Sequence, residues 1–122
     1  MMKEVHTVLP AADLERARAF YHDKLKMEPD ENHEGTMVFH APGGVFEIYE
    51  TANAGTAQNT QMGWVTDDLD GEMSVMRSNG VVFEEYDLPG MKTVNGVAEM
   101  EGIRSAWFRD SEGNFICVSQ MI

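Results

Sequence analysis

A single cysteine, Cys117, stands in a chain of 122 residues. It has no partner for an intrachain disulfide, and a multi-cysteine zinc knuckle is excluded. Bases are scarce as well: 9 lysines and arginines face 21 acids, for a formal charge of −12. That balance opposes binding to nucleic acid or to an anionic membrane surface and points charged partners toward cations or metals, while also keeping a protein dispersed. Long apolar runs are missing too, since nothing approaches the roughly 20 residues that span a bilayer. Met1-Met2-Lys3-Glu4-Val5 lacks a secretory apolar core, so the expected location is the cytoplasm. What remains is one domain, residues 1–122, with 43% hydrophobic content. Ten methionines suit irregular core gaps or an adaptable pocket.

Val5-His6-Thr7-Val8-Leu9 reads as a strand that Pro10 ends. Asp13 is placed to cap a helix whose apolar residues Leu14, Ala17, Phe20, Tyr21 and Leu25 fall on one face. Met37-Val38-Phe39 and Val45-Phe46-Glu47-Ile48-Tyr49 form a hairpin across Pro42-Gly43-Gly44, and a polar loop follows from Thr51 to Thr60. The order then recurs. Met62-Gly63-Trp64-Val65 is a strand, and Asp68 caps a helix carrying Leu69, Met73 and Met76 that closes at Asn79-Gly80. Val81-Val82-Phe83 reads as the next strand. A long segment from Asp87 to Gly102 follows, and a last hairpin joins Ala106-Trp107-Phe108 to Phe115-Ile116-Cys117-Val118. Both halves read βαβββ, about 1–52 and 60–122.

The halves superpose without gaps over key stretches. The displacement that lays Asp13-Leu14 on Asp68-Leu69 also lays His6 on Gln61, and the one that lays Gly43 on Gly113 lays Glu47 on Cys117. Strand alternation puts Val45, Glu47 and Tyr49 on one face and Phe46 and Ile48 on the other, so Glu47 is a polar insertion in an apolar strand. A buried carboxylate or imidazole costs free energy unless it is paired, hydrogen-bonded or metal-bound.

His6-Thr7-Val8-Leu9 with Asp13-Leu14 and Phe20-Tyr21, Asp67-Asp68-Leu69, and Trp107-Phe108-Arg109-Asp110-Ser111-Glu112-Gly113-Asn114 resemble the vicinal oxygen chelate superfamily of glyoxalases, bleomycin-resistance proteins and extradiol dioxygenases. The resemblance implies an α+β, glyoxalase-like fold in which two βαβββ modules form a curved mixed sheet around a cup, with helices outside and a homodimer completing the assembly. It places metal ligands on the first and last strand of each module, which correspond here to His6, Glu47, Gln61 and Cys117. Such a site would take one divalent ion, zinc, nickel, iron or manganese.

This chain departs from that pattern. Gln61 stands where a dioxygenase needs a second histidine and Cys117 where the second carboxylate belongs, so oxygen activation is disfavoured and the metal site reads as degenerate. Cys117 reads as pocket lining. The expectation is a small-molecule-binding protein with His6, Glu47 and Gln61 as polar anchors. The alternatives are a metal-dependent lyase or isomerase acting on adjacent oxygens and a protein that sequesters a cationic drug. Further lining is expected from Tyr49, Val65, Trp107, Phe115 and Ser119, and a lid from Leu88 to Val97 hinged at Gly90 and Gly96. His22, His33 and His40 are assigned no role. The family also places Gly after Leu25 and Pro after Asp110, where this chain has Lys26 and Ser111.

Overall fold

A computed structural model describes residues 1–122 as two units, 1–57 with 110–114, and 58–109 with 115–122. In the first, β1 (His6–Ala11) is followed by α1 (Leu14–Leu25), β2 (Glu31–His33), β3 (Thr36–Ala41) and β4 (Gly44–Glu50), which form a mixed sheet of order β1-β4-β3-β2. In the second, β5 (Thr60–Val65), α2 (Leu69–Ser78), β8 (Ala98–Met100), β9 (Ile103–Arg109) and β10 (Phe115–Met121) repeat the plan in the order β5-β10-β9-β8. Between α2 and β8 lies a small hairpin of β6 (Asp87–Leu88) and β7 (Met91–Lys92). In each sheet the first strand pairs parallel with the last and the other pairings are antiparallel. The fold is α+β, and no helix is long and apolar enough to cross a membrane.

Alternation explains the first unit's core. Leu9, Phe46, Ile48, Met37 and Phe39 are buried on one sheet face, where Tyr21 of α1 packs against the stacked Phe39–Phe46 pair. The opposite face carries His6 and Val8, then Val45, Glu47 and Tyr49, with His6 beside Val45 and Val8 beside Glu47 in register. Both predicted caps form, with Asp13 Oδ1 accepting from the Arg16 amide at 3.0 Å and Asp68 Oδ1 from the Gly71 amide at 3.0 Å.

Two expectations need correction. Pro10 does not end β1, because it pairs with Tyr49 inside the strand, and β1 is the edge of its sheet, where a missing N–H costs no ladder bond. Val81-Val82-Phe83 is not a strand. It makes one bridge, Phe83 to Phe108, and the module's next strand is β8, inside the long segment from Asp87 to Gly102. Glu31–His33, polar throughout, forms a further strand. Gly96 is buried at φ 82, and a Cβ there would stand 3.0–3.2 Å from Arg77, Phe83 and Met73.

The turn Asp110–Asn114 holds the first unit together from within. The Glu112 side chain is fully buried, and its oxygens accept from the Ala12 and Asp13 amides at 3.0 and 2.9 Å, from Arg16 Nε and Nη2 at 2.9 and 3.0 Å, and from Ser111 Oγ at 2.7 Å. A proline at position 111 has no such hydroxyl. Asp110 accepts from Tyr21 OH at 2.8 Å, from the Glu112 and Asn114 amides, and from Asn114 Nδ2, which also reaches the Pro10 carbonyl at 3.0 Å. Burial pushes the Glu112 carboxyl up, but Arg16, the Asp13 amide and Ser111 outweigh it and hold the pKa at about 2, against an ordinary 4.5.

A depressed carboxylate pKa stabilises above the unfolded value. The Glu112 contribution, on the order of 3 kcal/mol, is complete above pH 4.5 and is lost as pH falls toward about 2. Urea unfolding across that window should show Glu112→Gln with a correspondingly flatter acid limb. Lys26, at φ 58 after α1, occupies the left-handed position that glycine fills without strain. Lys26→Gly should therefore raise stability, by on the order of 1 kcal/mol, in the same assay.

Candidate functional site

On the first unit's sheet face turned away from α1, the β1–β4 register makes His6 and Glu47 diagonal neighbours, and His6 Nδ1 lies 2.6 Å from Glu47 Oε2. The other ring nitrogen, Nε2, lies 2.6 Å from Glu4 Oε1. The His6 and Glu47 side chains are each 28% exposed and that of Glu4 is 64% exposed. An ionised carboxylate only accepts, so with Glu47 and Glu4 both ionised the two ring nitrogens donate and the ring carries a positive charge. The bond to Glu47 first, then that to Glu4, raises the His6 pKa above 6.5.

Glu4 is the neighbour of His6 that sequence reasoning missed. Its signal was faint, an acid two residues before a histidine entering a strand. Tyr49 and Val8 are exposed on the same face. His33 and His40, also on this face by register, both turn toward Glu31 at 3.3 Å.

Gln61, Cys117, Val65, Trp107, Phe115 and Ser119 lie in the second unit. Gln61 serves its own strand pair, since the β5–β10 register shifts between Phe115 and Ile116 and Gln61 Oε1 accepts from the Phe115 amide at 2.9 Å. Cys117 is half-buried, and burial pushes its thiol above 9.0 against hydrogen bonding to Ser105 and the Ala106 backbone. Trp107 Nε1 donates to Thr60 Oγ1 at 3.1 Å, Ser119 Oγ approaches the Trp64 carbonyl at 3.5 Å, and Arg109 lies over the Phe115 ring. Val65 is exposed.

Each of the four positions His6, Glu47, Gln61 and Cys117 engages its polar atoms within its own unit. Each His6 nitrogen faces a carboxylate, the Gln61 oxygen holds a backbone amide, and burial raises the pKa of the Cys117 thiol. No three His, Cys, Asp or Glu side chains gather as a metal group.

The profile of the Glyoxalase/Bleomycin resistance protein/Dioxygenase superfamily matches residues 4–118, and the chain belongs to that superfamily. Among solved structures it is similar to a glyoxalase/bleomycin resistance protein/dioxygenase from Alicyclobacillus acidocaldarius, with TM-score 0.75 and 15% identity over 98% of this chain and 92% of that one. It is also similar to a glyoxalase/bleomycin resistance protein from Catenulispora acidiphila, with TM-score 0.71 and 24% identity over 99% of this chain and 100% of that one. An integron cassette protein from the mobile metagenome of V. cholerae matches with TM-score 0.63 and 25% identity over 98% and 95% of the two chains. No curated protein matches. These likenesses carry the fold, and the superfamily's own name spans several chemistries.

A raised histidine pKa favours the folded state below 6.5, and the contribution fades as pH rises through the folded value. In an NMR pH series the His6 ring should titrate above 6.5, and Glu47→Gln should bring its midpoint down. An unmoved midpoint shows that the pair does not set it.

Proposed function

We propose that the protein binds a small organic molecule without a metal ion, with the His6–Glu47 pair as the polar anchor. The observation that carries this reading is the 2.6 Å pair itself, partly exposed on a sheet face whose neighbours Val8 and Tyr49 offer apolar surface. An imidazolium fixed by a carboxylate on the next strand presents oriented polar groups, and apolar contacts hold the rest of a ligand. Tyr49 is the lining residue on this face, and Gln61 enters the reading only as a brace of its own strand pair. In keeping with the resemblance, the protein is read as a cytoplasmic homodimer.

Thermal-shift screening of a compound library should find molecules that stabilise the wild type and fail to stabilise His6→Ala. Elemental analysis after purification without chelator should find far less than one ion per chain. One zinc, nickel, iron or manganese per chain, lost in Glu47→Ala, overturns the reading in favour of a metal-dependent lyase or isomerase. Micromolar binding of a cationic drug such as bleomycin, unaffected by His6→Ala, moves it to drug sequestration.

A further inference from the structure

We propose that the Glu4 carboxylate is an internal stand-in for the carboxylate of the protein's ligand, resting on His6 Nε2 until a small organic acid displaces it. The proposal rests on the binding reading above and names the class of molecule bound there.

The two carboxylates on His6 are held in different ways. Glu47 belongs to β4, and the β1–β4 register fixes its oxygen at Nδ1. Glu4 precedes β1 and has no sheet partner, and residues 1–5 are all exposed. Its oxygen nevertheless sits 2.6 Å from Nε2, as close as that of Glu47. Nδ1 is thus committed by the framework, whereas Nε2 is an aimed, charge-assisted donor covered by a side chain that is 64% exposed. An exposed ion pair is cheap to give up.

What Nε2 would take in place of Glu4 follows from donor chemistry. A ring nitrogen that already holds one carboxylate oxygen at 2.6 Å suits another anionic oxygen in its place. No lysine or arginine lies on β1, β2, β3 or β4 to compete for it, and the other two imidazoles of the face turn to Glu31. Val8 and Tyr49, exposed on the same face, provide apolar surface for the body of the acid. The ligand class is therefore a small monocarboxylate with an apolar or aromatic body, and Glu4 competes with it.

Benzoate serves as the probe, with benzamide as its neutral counterpart, in NMR titrations of the full chain. Glu4→Ala should bind benzoate at least tenfold more tightly than wild type, with shifts at the His6 and Tyr49 rings. The gain should vanish in Glu4→Ala/His6→Ala. Glu72→Ala, which removes the same charge from the exposed side of α2, should leave affinity unchanged. Equal affinity in wild type and Glu4→Ala, an equal gain for benzamide, or a gain that survives loss of His6 each overturns the proposal. If one of these occurs while His6-dependent compounds from the library still bind, the stand-in role falls and the binding reading survives. If no compound depends on His6, the binding reading falls as well.

Discussion

Two carboxylates that water scarcely reaches, Asp110 and Glu112, set the geometry of the first unit. A buried charge is tolerated only when its oxygens are satisfied, and here backbone amides, Arg16, Tyr21, Ser111 and Asn114 supply the donors. The donors come from three places: the start of α1, the middle of α1 and the turn itself. Because Asn114 also holds the Pro10 carbonyl, the end of β1 is tied into the same network. Helix and edge strand are thereby fixed together, and the face on which His6 sits follows from that placement. No buried side-chain polar atom lacks a partner.

On that fixed strand, His6 combines rigidity with access. One nitrogen is locked by a neighbouring strand and the other meets a side chain outside the sheet. Each of the two ring nitrogens faces a carboxylate, one on the neighbouring strand and one outside the sheet. The chain keeps the superfamily's fold while four of its strand positions carry a histidine paired with a glutamate, a glutamine that braces its strand register and a half-buried cysteine. This is how one fold serves unrelated chemistries, by changing a few side chains on constant strands.

Much of the architecture was legible because it is written in strong local signals. Asp13 and Asp68 cap helices whether read in sequence or seen in space, and the alternation of Phe46 and Ile48 against Glu47 predicted which way each points. The duplication was legible for the same reason. Elements whose identity is set by partners were not. Glu31–His33 has no apolar residue and exists because β3 offers it an edge, while Val81-Val82-Phe83 has strand composition but makes one bridge. Pro10 stays in its strand because nothing in the sheet pairs on its far side. Within the site, Glu4 carried no motif, and the bond between Gln61 and Phe115 follows from a register shift that composition does not reveal.

The shortness and polarity of β2 have a consequence for the protein in a crowded solution. A sheet margin exposes unpaired backbone groups that a stray chain can extend into a growing fibril. Here that margin is three residues of Glu, Asn and His, all exposed and carrying a charged side chain at its start. An intruding strand finds little length to zip along and nothing greasy to bury, so the boundary is guarded against self-templated aggregation by the same residues that made it hard to see.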